Sequence, residues 1–251
     1  MQDKVRHQMD VMMNYITGKG LVPVQQLISE LGLSKSTVSR YLNHLEQEGK
    51  VRRMYGGVSA CISEELPVPA VPGDQQDSVR KRIGSRAAEL VEDNDIIFVG
   101  TGRTCFELYR SLKGHDIVVF TNNIYCAAYQ NPSVSHVYIL GGEVFDGNVV
   151  LGSLGIENLS KINPGKIFFS ASAINPRFEI QYKQDVERQY IETLMQMEGK
   201  KIFLVNRAKQ DRQCPFKMDC LSMLDAFVTD IEMTAEREEL FARLGTEVLS
   251  V

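Results

Sequence analysis

A segment that is poor in hydrophobic pattern and rich in proline divides this chain into two unequal parts. Residues 63–77 contain three prolines and one glycine. Three prolines in so short a stretch prevent a continuous helix, and the segment has no regular spacing of apolar residues. We therefore predict an interdomain linker over residues 61–77, a first domain over residues 1–60 and a second domain over residues 78–251.

The two parts carry opposite net charge. Residues 1–60 hold eight Lys or Arg and five Asp or Glu, which gives them a net charge of +3. Because the whole chain has a net charge of −4, residues 61–251 have a net charge of −7. A basic head on an acidic body favours contact between the head and a polyanion such as DNA. Many protein surfaces have a similar asymmetry, so the charge needs support from the pattern of residues.

Several classes of protein are disfavoured by composition. The chain has no apolar run of about 18 residues, and its first residues lack the apolar region of a signal peptide. The cysteines are scattered and form no C-x-x-C pair, so we expect neither disulfides nor a zinc site, and no cofactor or metal. We expect a cytoplasmic protein, away from membranes, whose thiols are buried as small hydrophobes. The cysteines are Cys61, Cys105, Cys126, Cys214 and Cys220.

Hydrophobic residues recur at helical spacing in three stretches of the head. They fall within residues 5–16, 24–31 and 38–45, which predicts three amphipathic helices. Gly32 lies between the second and third stretches, where its missing side chain permits a sharp turn, and Ser34 is positioned to cap the third helix. Two short helices joined by such a turn are typical of a helix-turn-helix.

The outer face of the third helix is polar, and a short basic hairpin follows it. Residues 50–58 alternate and then turn at two glycines, which predicts a β-ribbon wing whose Arg52 and Arg53 contact the DNA backbone. The helix residues predicted to reach base edges or phosphates are Lys35, Ser36, Thr37, Ser39, Arg40 and Asn43. A helical module that binds another protein through a solvated polar face remains an alternative.

The body alternates short apolar runs with helical patterns, which predicts an α/β fold with a largely parallel sheet covered by helices on both faces. The predicted strands are residues 96–99, 117–120, 137–140, 166–169, 201–205 and 226–229. The predicted helices are residues 79–92, 103–112, 184–198 and 234–244.

Small and polar residues follow four of these strands, where ligands bind in such sheets. Glycines expose backbone N–H groups, hydroxyls add donors, and the helix after Gly102 aims its positive end at the same edge. Arg103 and Lys209 could neutralise a phosphate. The predicted ligand-binding residues are Gly100, Thr101, Gly102, Arg103, Thr104, Thr121, Asn122, Gly141, Gly142 and Lys209.

These residues also allow simpler interpretations. Gly141 and Gly142 could form only a turn, and Arg103 could be solvated at the start of its helix. Cys105 occupies the third glycine position of a dinucleotide fingerprint, so we exclude NAD binding. Glu179, Asp185 and Glu187 are expected to cap or solvate a helix, so no catalytic residue is predicted.

Together these parts resemble the DeoR family of bacterial regulators over essentially the whole chain. In the head the resemblance rests on Leu31-Gly32-Leu33-Ser34, Thr37-Val38, Arg40, Leu42, Leu45, the stretch 49–53 and Gly56-Gly57. In the body it rests on the loop 100–104, Thr121-Asn122, Leu140-Gly141-Gly142, Gly152, Glu187 and Lys209. The resemblance implies a sensor domain like the ribose-5-phosphate isomerase and CoA-transferase fold, a phosphorylated sugar as effector, relief of repression on binding, and an oligomer.

The chain also departs from the family pattern. Ser39 and Tyr41 stand where the family usually has Arg and Asp, which implies an atypical operator. Gly100 and Asn206 stand where it usually has Asp, and Arg103 where it has Thr or Ser. The departures implied by the resemblance favour a more anionic ligand and argue against isomerase chemistry, which needs a carboxylate as general base.

The main hypothesis is therefore a DNA-binding regulator, most simply a repressor, of a carbohydrate-metabolism operon. It would bind double-stranded DNA as a dimer or tetramer and respond to a small phosphorylated metabolite. The alternative is an enzyme of sugar-phosphate metabolism with an isomerase-like fold and an appended helical module. That alternative would need a carboxylate among residues 100–104 or 206–209, and the sequence has none at those positions.

Overall fold

The computed structural model describes residues 2–19, 22–48, 50–54, 57–60, 77–210 and 212–251. The chain forms two compact units, residues 1–65 and 66–251. Residues 61–76 of the predicted linker lie outside the described residues, as do Gly49, Gly56, Cys61 and Asp211. Asp77, which we assigned to the linker, already belongs to a helix.

The head is a winged helix-turn-helix, as the sequence predicts. Its described elements are α1 (Gln2–Lys19), α2 (Val24–Leu31), α3 (Lys35–Gln47), β1 (Val51–Met54) and β2 (Gly57–Ala60). Strands β1 and β2 pair antiparallel, and Val22 bridges to Val58. Met12, Ile16 and Leu27 from α1 and α2 pack with α3 and the wing in one buried cluster.

Local chemistry fixes the turn into α3. Gly32 ends α2 in the left-handed conformation with φ of 60°, which glycine adopts without steric cost. The Ser34 hydroxyl accepts a hydrogen bond from the Thr37 backbone N–H at 3.2 Å and so caps α3. Tyr41 is buried, and its hydroxyl donates to Gln8 Oε1 at 2.9 Å, which ties α3 to α1.

The body contains a parallel central sheet, which confirms the predicted α/β class. Seven described strands form it: β3 (Ile96–Val99), β4 (Ile117–Thr121), β5 (Val134–Ile139), β8 (Lys166–Phe169), β11 (Lys200–Val205), β13 (Ala226–Thr229) and β14 (Glu247–Ser250). Their order in the sheet is β14-β13-β11-β8-β3-β4-β5, and each neighbouring pair is parallel.

Alternating side chains bury both faces of the central sheet. Phe98, Phe169 and Phe203 belong to one hydrophobic cluster, whereas Ile97 and Phe168, which adjoin them in sequence, belong to another. Successive residues of a strand point to opposite faces, so this division requires cover on both sides. The described helices of the body are α4 (Asp77–Ala88), α5 (Arg103–Ser111), α6 (Ile124–Ala128), α7 (Ser153–Leu159), α8 (Asp185–Gln196) and α9 (Ala235–Leu244).

Some elements of the body were not predicted from the sequence. A hairpin joins β6 (Glu143–Phe145) to β7 (Val149–Leu151). A small antiparallel sheet in the described residues pairs β10 (Ile180–Tyr182) with β9 (Ala173–Ile174) and β12 (Phe216–Met218). Strand β14 was also missed, and the prediction for β5 was shifted toward its C-terminus.

The described residues bear on two predictions made from composition, which concern membrane spans and the burial of the cysteines. None of the helices in those residues is long and apolar enough to cross a bilayer. Cys105, Cys126 and Cys220 are buried, free thiols, as expected, whereas Cys214 is only half-buried.

Helix α4 packs closely on α5 at Gly84, which generates a prediction about stability. A Cβ at this position would lie 2.5 Å from the Leu108 backbone nitrogen and 2.6 Å from the Glu107 backbone carbon. Replacing a helical glycine by alanine normally stabilises by about 1 kcal/mol. Here the clash is with backbone, so we expect Gly84→Ala to lower the free energy of unfolding by about 1–3 kcal/mol in a denaturant titration.

The matched control is Arg82→Ala, at an exposed position of the same helix. Its effect on the free energy of unfolding should stay within about 0.5 kcal/mol. A Gly84→Ala protein at least as stable as the wild type would contradict the close packing of α4 on α5.

Candidate nucleic-acid interface and ligand cavity

Helix α3 has two chemically distinct faces. Val38, Leu42 and Leu45 are buried in the core of the head. The residues predicted to contact DNA are exposed, except for Thr37, which is half-buried. The exposed ones are Lys35, Ser36, Ser39, Arg40, Asn43, Arg52 and Arg53. The exposed residues of α3 thus lie on the outward side of the helix, and Arg52 and Arg53 lie on the wing that follows it.

Three of the side chains on α3 have partners in α3 or in its cap. Ser36 Oγ lies 3.0 Å from Ser34 Oγ. Thr37 Oγ1 lies 2.8 Å from Ser34 Oγ, so its hydroxyl belongs to the helix cap. The Arg40 guanidinium lies 5.4 Å from the centre of the Tyr41 ring, which holds it along the helix by a cation–π contact.

The two wing arginines are placed differently. Arg53 donates through its backbone N–H to Glu46 Oε1 at 3.2 Å, and its Nε lies 3.4 Å from Glu46 Oε2. Its Nη2 donates to the Ser39 carbonyl at 3.2 Å and to Asn43 Oδ1. Arg52 pairs with Ser59 through the main chain, but its guanidinium makes no hydrogen bond or ion pair with another described residue. Arg53 therefore lies against α3, whereas the sequence suggested a cation facing the DNA backbone.

A cavity of about 440 Å³ opens at the carboxyl ends of the central strands. Three segments that follow adjacent strands line it: Thr101 to Arg103 after β3, Ser170 to Ser172 after β8, and Lys209 after β11. The start of α5 also faces it, so backbone N–H groups with partial positive charge are directed there. This is the strand edge at which we predicted ligand binding.

Four of the ten predicted ligand residues line this cavity, namely Thr101, Gly102, Arg103 and Lys209. Gly102 has φ of 94°, a conformation that L side chains rarely adopt, and it forms the N-cap of α5. It therefore lets the chain turn from β3 into the helix with its amides directed at the cavity.

The other predicted residues lie behind or beside the cavity, where they support its backbone. The Thr121 hydroxyl donates to the Val99 carbonyl at 2.6 Å, and the Gly100 N–H donates to the Phe168 carbonyl at 2.8 Å. Thr104 and Asn122 are buried, and Asn122 Oδ1 has no hydrogen-bond partner within the described residues.

Gly141 and Gly142 do not line the cavity but lead into the β6–β7 hairpin. A Cβ on Gly142, which has φ of 154°, would lie 2.2 Å from the Leu151 carbonyl oxygen. The pair forms the connection from β5 to β6, and Gly142 allows the close approach to β7. The hairpin itself contributes Phe145, Asp146 and Asn148 to the cavity wall.

Sequence reasoning missed a carboxylate in the cavity. Glu187, on the first turn of α8, lines it together with Lys183 and Lys209, and its Oε2 lies 3.4 Å from the Ser172 hydroxyl. From the sequence, a carboxylate was sought only among residues 100–104 and 206–209, and Glu187 was expected to cap or solvate a helix. Glu187 instead faces the cavity, because α8 begins at the same edge of the sheet. In the sequence, the only indication that Glu187 belongs to the site was its match to the DeoR family pattern.

Burial shifts the pKa values of both charged groups. Removal of Lys209 from water lowers its pKa to about 8, with Arg212 acting in the same direction and Glu187 opposing it. The Lys209 ammonium donates to the Ala171 carbonyl. Burial also raises the pKa of Glu187, and Lys209 opposes that shift. Each group therefore favours the charge of the other but is held in a poorly solvated site.

The described lining of the cavity has a small positive charge. Arg103, Lys183 and Lys209 supply three cations, against the carboxylates of Asp146 and Glu187, a formal net charge of +1. Such a lining suits a monoanionic or dianionic ligand with hydroxyl groups. No group of three His, Cys, Asp or Glu in the described residues is arranged to hold a metal ion.

Models of protein families match both units of the chain. Residues 6–64 match a DeoR-like helix-turn-helix domain, and residues 75–231 match a DeoR C terminal sensor domain.

Similar proteins cover the whole length of the chain. The lactose phosphotransferase system repressor of Lactococcus lactis subsp. lactis is 27% identical over 249 residues, which cover 96% of this chain and 97% of that protein. The HTH-type transcriptional regulator UlaR of Shigella dysenteriae serotype 1 is 25% identical over 257 aligned positions and covers 100% of both proteins. Among solved structures, ribose 5 phosphate isomerase A of Neisseria gonorrhoeae has a TM-score of 0.37 and 15% identity, covering 67% of this chain and 64% of its own.

The lowered pKa of Lys209 predicts a pH-dependent cost to stability. Lysine has a pKa of 10.5 in water and about 8 in the folded chain, so the unfolded state binds the proton more tightly. The contribution of Lys209 to the free energy of unfolding of the wild type therefore increases as the pH rises from about 8 to about 10.5. Methionine does not titrate, so the free energy of unfolding of Lys209→Met, relative to that of the wild type, should be highest near pH 7. This difference should fall by on the order of 2–3 kcal/mol between about pH 8 and about pH 10.5.

The measurement is a pair of urea titrations at each pH for the two proteins. Lys113→Met, at an exposed position, is the matched control and should give a difference that does not vary with pH. A constant difference for Lys209→Met as well would show that the ammonium is fully solvated in the folded chain.

Proposed function

Because the chain belongs to the DeoR family of DNA-binding transcriptional regulators, we propose that it represses a carbohydrate-metabolism operon and that a phosphorylated sugar relieves this repression. The relatives named above are a repressor of a lactose phosphotransferase system and a transcriptional regulator. Family membership supports a regulator rather than the alternative of a sugar-phosphate enzyme, even though Glu187 provides a carboxylate in the cavity.

The observation that carries the DNA-binding role is the division of α3 into a buried apolar face and an exposed polar face. The exposed face presents short hydrogen-bonding side chains and cations, which can reach base edges and phosphates in a major groove. Because Val38, Leu42 and Leu45 anchor the helix, this face is held outward by the core. A protein-binding role for the head is the competing proposal, and its dependence on salt would differ.

The cavity is the proposed effector site. Its volume of about 440 Å³ is within the ordinary range for small-molecule sites and would accommodate a sugar phosphate. The N–H groups at the start of α5, with Arg103 and Lys209, would bind the phosphate. The carboxylates of Asp146 and Glu187 are suited to accept hydrogen bonds from sugar hydroxyls. The net charge of +1 fits an ordinary sugar monophosphate, so it does not support the more anionic ligand that the departures from the family pattern suggested.

Regulation requires that the effector prefer one arrangement of the protein. A ligand that bound the DNA-competent and DNA-incompetent arrangements equally well would shift nothing. We propose a homo-oligomer, a dimer or tetramer, because one head contacts too little DNA for tight binding and paired heads fit half-sites about one helical turn apart. Such a protein would act in the cytoplasm, where bacterial DNA lies.

Arg40→Ala should weaken binding to the operator fragment by about 1–3 kcal/mol, because the side chain is exposed on the outward face of α3. Binding can be measured by filter retention or fluorescence anisotropy on the DNA upstream of the chain's own gene, at several salt concentrations. Wild-type affinity should fall steeply with salt, with a slope of about −0.9 for each phosphate neutralised.

Arg82→Ala removes a charge from the body and serves as the control, with unchanged affinity. An Arg40→Ala protein that binds as tightly as the wild type would remove the outward face of α3 from the interface. Binding that does not respond to salt would instead favour the protein-binding role.

Sugar phosphates should raise the melting temperature of the wild type, because binding to the folded state alone stabilises it by mass action. A thermal-shift panel should compare each phosphorylated sugar with its unphosphorylated form. The stabilisation should be lost in Arg103→Ala and in Lys209→Ala, since both residues line the cavity.

Lys113→Ala removes the same charge from an exposed position, and it should retain the full shift. Stabilisation that persists in both cavity variants would place the effector elsewhere. No shift with any member of the panel would count against a sugar phosphate as effector.

A further inference from the structure

The two adjacent arginines of β1 differ in what they contact. Successive residues of a strand point to opposite faces. Arg53 is on the face that packs against α3, and Arg52 is on the other. Both side chains are exposed, so exposure and charge alone do not distinguish the two arginines. Only Arg53 is held in one place by partners within the described residues.

Glu46 holds Arg53 at two points. One carboxylate oxygen accepts the Arg53 backbone N–H at 3.2 Å, and the other lies 3.4 Å from Nε. The two side chains are 40% and 42% exposed, so the ion pair itself adds little to stability. Its consequence is geometric, because a guanidinium is planar and a contact at Nε fixes the direction of its remaining N–H groups.

Those remaining groups reach the outward face of α3. Nη2 donates to the Ser39 carbonyl at 3.2 Å and to Asn43 Oδ1. Ser36, Ser39 and Asn43 recur at helical spacing, so they share the face proposed to contact DNA. The Arg53 guanidinium is therefore part of this face, although it comes from the wing.

The contact with Arg53 also changes what Asn43 can recognise. An asparagine reads adenine with two bonds, accepting through its carbonyl and donating through its amide. Here Asn43 Oδ1 is engaged by Arg53, which leaves the amide N–H groups as donors. Both hydrogens of Arg53 Nη2 are engaged by Ser39 and Asn43, so Nη1 is the guanidinium group that adds donors beside the Asn43 amide. Guanine is the base that presents two acceptors, N7 and O6, side by side in the major groove.

We propose that Arg53 and Asn43 form one base-reading unit that selects guanine, with Glu46 as the positioning residue. Arg53 then sets one base of each half-site, while Arg52 provides charge for the DNA backbone. This inference rests on the proposed DNA-binding function and specifies part of its sequence preference.

The test compares two variants that preserve charge, Arg53→Lys and Arg52→Lys, in the full-length protein. Each protein selects sequences from a random duplex library, and the enriched fragments are then measured for affinity at several salt concentrations. Lysine keeps the positive charge but lacks the planar fork that bridges Glu46, Ser39 and Asn43. Both variants should therefore keep the wild-type dependence of affinity on salt.

The proposal expects the two variants to differ only in base preference. Wild type and Arg52→Lys should enrich the same sequence, with guanine at one position of each half-site. Arg53→Lys should lose preference at that position by on the order of 10- to 100-fold and keep the rest. Unchanged base preference in Arg53→Lys, or equal loss in both variants, would overturn the proposal.

A second variant tests whether the two residues act together. Asn43→Ala should lose preference at the same position, and the Arg53→Lys/Asn43→Ala double variant should lose little more, because each change breaks one shared unit. Independent, additive losses at different positions would overturn it. Melting temperatures within a few degrees of wild type confirm that the variants fold. A wild type that enriches no sequence would refute the DNA-binding function itself, an outcome distinct from the failures above.

Discussion

The central sheet is apolar on both faces, and this constraint determines where the body can place polar chemistry. Phe98, Phe169 and Phe203 pack on one side, while their neighbours in sequence pack on the other. A strand buried in this way cannot carry a charged side chain without a large desolvation cost. In the inner strands β3, β8 and β11 polar groups are therefore confined to the ends, and the parallel arrangement brings these ends together. The cavity is a consequence of that arrangement.

The same constraint explains how much of the structure could be predicted. The strand Ile96–Val99 was located from its apolar run, and Ser34 was identified as a cap from its chemistry. Both depend on short-range patterns. Strand β14 reads Glu-Val-Leu-Ser and is an edge strand, so it lacks the apolar run that marked the others. The hairpin β6–β7 could not be predicted from the sequence because its strands have only three residues each, too few to show an alternating pattern.

The candidate site was predicted less completely than the fold, for a physical reason. Thr101 to Arg103 and Lys209 follow strands directly, so parallel topology alone places them at one edge. Glu187 and Asp146 come from a helix start and a hairpin, whose positions depend on long-range packing. In the head, the outward residues of α3 were predicted from helical periodicity. The contact of Arg53 with Asn43 was not, because it joins a strand to a helix ten residues away.

The wall that β6–β7 forms beside the cavity is attached through main-chain atoms. The Ile124 N–H donates to the Asn148 carbonyl at 2.9 Å, and the Val150 N–H donates to the Asn122 carbonyl at 2.8 Å. Bonds of this kind do not depend on the identity of the side chains that the hairpin carries. Substitution of Phe145 or Asn148 would therefore change which metabolite the proposed effector site recognises, while the main-chain bonds that hold the wall in place stay the same.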